Sequence, residues 1–283
     1  MYLRIHINQF LKFLLVRITI FHVYWYGQLT RKQLCCINSF LVTQDLTKTK
    51  LYVWLDKENG YYINNINLIT KHQNIEIKCY DYRLDSIGTL FEGKPFLSGQ
   101  NNLKFRSDIA RMLFLYKYGG LYYDLDCILL KDFSNLLDLE FCYQWSTELR
   151  NKGNNGILRL KKQSNICKYM MNKYIIELKK RNFFLGFNIH ILNDDNNITC
   201  LPCSFFDPVW ILTDNKTSSK YSKLDRFDDF FKNANEKVNV DTFFKGTIYA
   251  YHWHSRNNNI IEKNSYFEQL ENSINNNLKK LSI

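Results

Sequence analysis

An apolar run rich in β-branched and aromatic residues, Ile18 to Tyr26, predicts a buried strand that ends at Gly27, where the chain must turn. Thr30 with Gln33 has the form of a capping box, and Leu34, Ile37 and Leu41 then recur at helical spacing, so a helix follows the strand. Leu51 to Leu55, closing on Asp56, is a second short apolar run, and Ile75 to Tyr80 a third after an Asn-rich connection. Strands alternating with helices predict an α/β fold, with a mainly parallel central sheet flanked by helices on both faces. In such sheets ligands collect beyond the carboxyl ends of the strands.

Ser107 is a favourable N-cap, and Ile109, Met112, Leu113 and Tyr116 form the apolar stripe of a helix that Gly119-Gly120 stops. Leu121-Tyr-Tyr-Asp124-Leu-Asp126 then predicts a strand ending in two carboxylates. Gly156 to Leu160, Ile198 to Phe206 and Thr247 to Trp253 read as further strands, Ser164 to Lys179 as a Ser-capped helix and Tyr266 to Leu281 as a closing helix. Thr213 to Asn239 is polar and irregular and is expected at a variable surface. With no internal repeat, the chain divides into an N-terminal amphipathic segment (1–17), one Rossmann-like catalytic domain (18–260) and a C-terminal helix (261–283).

Apolar residues at 46% and aromatics at 16% exclude a disordered chain, and 283 residues suit one large domain. The net charge of +11 favours an anionic partner. The lysines are scattered, however, and no nucleic-acid module lies in register, so nucleic acid is not expected as a partner. Eight cysteines without the dense framework of a small secreted domain predict reduced thiols and a cytoplasmic protein. Cys200-Leu-Pro-Cys203 has redox or zinc spacing, but a tetrahedral zinc site wants a second ligand pair that the sequence does not offer. Arg4, Lys12 and Arg17 interrupt any N-terminal run long enough to cross a bilayer. Leu3, Ile7, Phe10, Leu11 and Leu14 share a helical face, which either packs on the domain or rests peripherally on a membrane.

Residues two apart in an extended chain point to one side, so Asp124 and Asp126 bring hard oxygen ligands into one space while Leu125 faces the core. Such a pair suits Mn²⁺ or Mg²⁺ bridging a diphosphate, although a bare Asp-x-Asp is common by chance. The whole segment is more specific. Ser107-Asp108-Ile-Ala-Arg111-Met-Leu-Phe-Leu-Tyr-Lys-Tyr-Gly119-Gly120-Leu-Tyr-Tyr-Asp124-Leu-Asp126 closely resembles the "DXD" sugar-binding region of glycosyltransferase family 32. That family includes α-1,4-galactosyltransferases, fungal mannosyltransferases and bacterial capsular transferases, with glucosylating toxins more distant, and weaker agreement runs from Ile18 to Ser255.

The resemblance implies a GT-A fold, a nucleotide-sugar donor, a divalent metal and transfer with retention. Asp126 would then coordinate metal, and Asp124 would contact the ribose and sugar or assist with metal. Asp108 and Arg111 would hold donor-sugar hydroxyls and the pyrophosphate region. Taken alone, Asp108 is also explained by the dipole of a helix's first turn, and Arg111 by an ordinary surface ion pair. Phe21-His-Val-Tyr-Trp25-Tyr26-Gly27 matches the family's first strand, making Trp25, with Tyr26 beside it, the candidate to pack on the nucleobase. An aromatic in a buried strand is also commonly core.

Asn154-Asn155-Gly156 follows the acidic pair at the family's spacing, which points to Asn155 near the reacting sugar, while Asn-Gly is also a favoured turn pair. Tyr251-His252-Trp253-His254-Ser255 resembles the terminal motif that closes over metal and diphosphate, where His252 would add a nitrogen ligand or bond a phosphate and Trp253 would face the donor. His254 shares the side of His252 in an extended chain, which leaves open which histidine serves. The family often has Ser-Trp next, whereas here Ser255 precedes Arg256. The expected activity is metal-dependent, retaining transfer of a hexose from a UDP- or GDP-sugar to a glycan or glycolipid acceptor, as in polysaccharide biosynthesis. A protein acceptor and a non-catalytic nucleotide-sugar-binding module are the alternatives. A phosphohydrolase would need a downstream lysine and acidic motif that the sequence lacks.

Overall fold

A computed structural model describes residues 18–58, 60–94, 103–147, 153–179, 198–210, 227–237 and 246–281. The amphipathic segment 1–17 lies outside the described residues. Strand β1 (Thr19–Trp25) is followed by helix α1 (Arg31–Thr43), β2 (Thr49–Asp56), α2 (Tyr62–Leu68) and β3 (Ile75–Tyr80). Then come α3 (Leu103–Tyr118), β4 (Gly120–Tyr123), β5 (Cys127–Leu129), β6 (Phe141–Gln144) and β7 (Gly153–Leu160). The chain closes with α4 (Asn165–Lys179), β8 (Thr199–Leu201), β9 (Ala250–His252) and α5 (Tyr266–Lys280).

Seven strands form the central sheet in the order β3-β2-β1-β4-β7-β6-β8, and β5 pairs with β9 in a separate ribbon. The pairs β3/β2, β2/β1 and β1/β4 are parallel, as is β6/β8, while β7 runs antiparallel to both neighbours. The sheet is therefore mainly parallel. Alternation of side chains feeds two cores. Phe21, Val23, Leu121 and Tyr123 face α1 and α5, whereas Tyr24, Tyr122 and Leu158 face α3 and α4. From β1 the chain moves outward to β2 and β3, then returns to the other side of β1 as β4. That reversal makes a topological switch point beyond the carboxyl ends of β1 and β4, the place where such sheets form their ligand crevice.

Local departures from expectation have identifiable causes. Gln33 caps Thr30 as expected, its Oε1 accepting from Thr30 N at 3.1 Å, but the Thr30 hydroxyl also donates to that oxygen at 2.5 Å. Ser107 is not an N-cap: α3 is already helical at Leu103, with Phe105 buried, and Ser107 Oγ lies 3.0 Å from the Tyr122 hydroxyl. Ser164 does cap α4, accepting from Cys167 N at 3.1 Å. The expected strand Ile198–Phe206 is broken at Pro202, which cannot donate to a ladder, and continues as a 3₁₀ turn at Cys203–Phe205. Within the expected variable region Thr213–Asn239, Phe227, Phe230 and Phe231 are buried along a 3₁₀ turn whose aromatic spacing outweighs its acidic residues. Residues 211–226 and 238–245 lie outside the described residues. Among those described, no helix is long and apolar enough to cross a membrane, and no disulfide joins any of the eight cysteines.

Candidate active site

Asp124 and Asp126 sit on a turn, not on a strand. β4 ends at Tyr123, Asp124 N extends the ladder by donating to Gly156 O at 2.8 Å, and Cys127 N then closes a turn onto Asp124 O at 3.0 Å. Leu125 is buried, as the alternation argument required, but a tight turn rather than an extended dipeptide juxtaposes the carboxylates. What brings β4 this close to its neighbours is Gly119-Gly120. Both residues take positive φ, +67° and +104°, and a side chain on Gly120 would overlap Ile20 O across the sheet.

Asp124 is held from beneath. Arg111, one helical face below, donates from Nη2 to Asp124 Oδ1 at 2.7 Å and from Nη1 to Asp108 Oδ1 at 2.6 Å. The guanidinium also stacks 4.5 Å from the Tyr122 ring centre, and the Tyr122 hydroxyl donates to Asp124 Oδ1 at 3.0 Å. Asn155 reaches the same cluster, its Nδ2 donating to Asp108 Oδ1 at 3.0 Å. Arg111 is 2% exposed, so it is no surface pair, and Asp108 lies beyond the first turn of α3, so the helix dipole does not explain it. Burial raises the Asp108 carboxyl above the ordinary range against the pull of Arg111. Asp124 is likewise raised by burial, reinforced by the Asp126 charge and opposed by Arg111.

Asp126 is held from the far end of the chain. Antiparallel pairing of β5 with β9 sets Cys127 opposite His252, which puts the imidazole beside the residue preceding Cys127. His252 Nε2 lies 3.1 Å from Asp126 Oδ1, and Ser255 N donates to Asp126 Oδ2 at 2.6 Å. Burial alone would lower His252, but the Asp126 carboxylate, with Asp207 behind it, holds it up at about 9. Burial likewise opposes ionisation of Asp126, yet the histidines and the Ser255 amide keep its carboxyl below the usual range. The other ring nitrogen, Nδ1, is 2.8 Å from the Tyr143 hydroxyl. His254 is not extended. It and Ser255 adopt positive φ, +49° and +61°, which folds its ring onto His252 with centroids 3.9 Å apart. Its Nε2 instead meets Asp207 Oδ2 at 2.5 Å, while Asp207 Oδ1 is buried with no hydrogen-bond partner among the described residues.

The two halves meet at Gly156. A β-carbon there would stand 3.0 Å from His252 Cε1 and 3.3 Å from Asp124 Oδ2, so this strand residue leaves open the space between imidazole and carboxylate. Asn155-Gly156 is thus no turn. It lies inside β7, with Asn154 Oδ1 accepting from Gly156 N at 2.7 Å.

Residues 31–142 match the family described as the glycosyltransferase sugar-binding region containing the DXD motif. The matched segment, less than half of the chain, is similar to that sugar-binding region. The crystal structure of the glycosyltransferase GlyE in Streptococcus pneumoniae TIGR4 aligns with a TM-score of 0.52 at 13% identity, over 94% of this chain and 64% of that one. The PaToxG glycosyltransferase aligns at 15% identity with a TM-score of 0.48, over 61% of this chain and 63% of that one. This chain thus covers less than two thirds of either neighbour's length. The architecture is the GT-A fold of glycosyltransferases. Comparison with curated proteins finds no match.

The matched region contains Asp108, Arg111, Asp124 and Asp126, whereas Asn155, Asp207 and His252 come from chain beyond it. Trp25 and Tyr26 stand at the end of β1. Trp25 Nε1 donates to Gln28 O at 3.1 Å, and Tyr26 lies under the Arg106 guanidinium at 4.8 Å, which itself pairs with Asp56 at 2.7 Å and Glu58 at 2.8 Å. The Trp253 side chain does not reach the acidic cluster. Its ring is buried among Phe230, Phe231 and Phe267, and only its backbone N reaches the acidic pair, donating to Asp126 O at 3.1 Å. Sequence reasoning missed Tyr122, Tyr143 and Asp207. Asp207 had a usable signal, a carboxylate directly after the apolar run ending at Phe206, while nothing local marks Tyr143.

Proposed function

We propose that this chain is a metal-dependent, retaining glycosyltransferase that moves a hexose from a UDP- or GDP-sugar to a glycan or glycolipid acceptor. The supporting observation is the junction at Gly156, where the Asp108–Arg111–Asp124 network and the Asp126–His252 pair face one space that any side chain at that position would narrow. In this reading residues 18–260 form the transferase domain and 261–283 brace it. Carboxylate oxygens beside an imidazole nitrogen, around a gap kept open by a glycine, fit a hard divalent cation such as Mn²⁺ or Mg²⁺, held by Asp126 and His252 with Asp124 adjacent. When bound, such an ion supplies positive charge against a departing diphosphate.

The chain's own groups supply the rest. Arg111 directs both terminal nitrogens at carboxylates, so its contribution is to hold Asp108 and Asp124 in place and balance their charge. Asp124 Oδ1 is committed to Arg111 and Tyr122, which leaves Oδ2, on the Gly156 side, to accept from ribose or sugar hydroxyls. Asn155 and Asp108 together offer an amide and a carboxylate near the reacting sugar. Tyr143 fixes the His252 ring so that Nε2 faces Asp126. Trp25 and Tyr26, at the end of β1, offer faces for a base. No side chain here is assigned as a covalent nucleophile, and retention would follow a front-face route.

The test is a screen of UDP- and GDP-sugars for Mn²⁺-dependent donor cleavage. Asp126→Asn should lower turnover by about 100-fold or more while circular dichroism shows a folded protein. Unchanged turnover in that variant would remove Asp126 from the proposed role. Donor binding without transfer or hydrolysis would indicate a binding module, and labelled sugar on protein instead of glycan would redirect the acceptor.

A further inference from the structure

Cys200 and Cys203 carry the spacing of a redox or zinc motif, but the sheet separates them. Cys200 packs against the layer containing Met112, Leu158 and Cys167, whereas Cys203 is buried in the opposite layer with Tyr143 and Phe206. The nearest thiol to Cys200 is supplied by topology. β6 and β8 run parallel, and their register sets Cys142 directly beside Cys200. Neighbouring strands lie about 4.8 Å apart, inside the range of about 4.4–6.8 Å between α-carbons that a disulfide spans. Residues paired in this way project to the same face, and both cysteines indeed belong to the same core layer.

We propose that Cys142 and Cys200 form a reversible cross-strand disulfide when the folded protein meets a peroxide. This site is independent of the transfer activity proposed above. The two thiols are unequal in the way such chemistry requires. Cys200 is half-buried on the edge strand of the sheet, whereas Cys142 is 1% exposed. Hydrogen bonding from the Cys142 thiol lowers that of Cys200, and the same contact, with burial, raises Cys142. Cys200 thiolate attacks one peroxide oxygen. The S–O bond forms, the O–O bond breaks, and the departing hydroxide takes up the proton released from Cys200 to leave as water. Cys142 then attacks the sulfenyl sulfur. The S–S bond forms, the S–O bond breaks, and the hydroxyl leaves with the Cys142 proton as a second water. Two thiols and one peroxide thus give one disulfide and two waters.

Directly opposed neighbours sit closer than the commonest α-carbon spacing of disulfides, which favours a bond that reductants reopen. Cys79 is the more exposed thiol, but partial burial raises it and its register partner on β2 is Leu55. The bond would tie β6, which carries Tyr143, to β8, which leads into Asp207.

The experiment exposes the full chain to stoichiometric hydrogen peroxide, alkylates it, and maps peptides without reduction. The expected product joins Cys142 to Cys200, persists in Cys203→Ser, disappears in Cys200→Ser and in Cys142→Ser, and is reopened by dithiothreitol. Cys200→Ser alters only a half-buried edge position, so that control does not depend on the core tolerating a change at Cys142. A dominant Cys200–Cys203 link, or wild-type Cys200 recovered as free thiol or sulfinic acid, would overturn the proposal.

Discussion

Arg111 shows how much of this site rests on single side chains. Two carboxylates with ordinary repulsion share one buried guanidinium, and burial already pushes both Asp108 and Asp124 toward their neutral forms. Arg111→Met should therefore destabilise the protein by about 3 kcal/mol or more in urea melts, because it strands like charges without a counterion. Gly156 acts in the opposite way, by what it lacks. Its backbone is compatible with alanine, but the β-carbon would stand 3.0 Å from His252 Cε1 and 3.1 Å from Asn154 Oδ1, so Gly156→Ala should lower thermal stability moderately while the protein still folds. The added methyl would press on His252 Cε1 and Asp124 Oδ2, and Mn²⁺ affinity measured by electron paramagnetic resonance should fall by about tenfold. An unaltered affinity would separate this glycine from the proposed metal site.

At the level of elements, the acidic turn is positioned by its entry and its exit. The entry is the Gly119-Gly120 break, where α3 ends in a left-handed residue and β4 starts against β1 with no room for a β-carbon. Gly120→Ala should force β4 away from β1 and cost about 3 kcal/mol or more, seen as a lowered urea midpoint or loss of soluble protein. The exit is the β5/β9 ribbon, whose three register pairs import His252 from 125 residues downstream of Cys127. α5 then closes over α1 with Phe267, Leu270, Ile274 and Leu278 on one apolar face, reinforced by Glu271 accepting from Arg31. The helix after the site is thus packed on the helix before it.

Across the whole molecule, His22 at the centre of the sheet couples folding to pH. Its Nε2 is 2.9 Å from Gly119 O and its Nδ1 accepts from Trp54 Nε1 at 3.2 Å, an arrangement that requires the neutral ring. Burial lowers it to about 4, with the Gly119 carbonyl only partly offsetting that loss. An unfolded histidine titrates at about 6.5, so between these values the unfolded chain binds the extra proton. The contribution of His22 is complete above the unfolded value and is lost as pH falls toward 4, on the order of 3 kcal/mol in total. Urea midpoints should decline over that window, and His22→Gln should flatten the decline.

Local pattern was enough for the elements and for the acidic motif. The apolar runs of β1, β2 and β3, the stripe of α3 and the Gly119-Gly120 stop are set by residues within a few positions of one another, where hydrophobic period and backbone preference act directly. Asp108, Arg111, Asp124 and Asp126 were legible because one helix, one break and one strand present them in order. Tertiary structure decided the rest. It turned Asp124-Leu125-Asp126 into a turn through the Gly156 ladder, chose His252 over His254 to face Asp126, consigned Trp253 to the core, brought up Tyr143 and Asp207, and set Cys200 beside Cys142 instead of Cys203. Each of these depends on strands that meet from distant stretches of chain, and a register between them is fixed by packing of the assembled layers, which no local run of residues encodes.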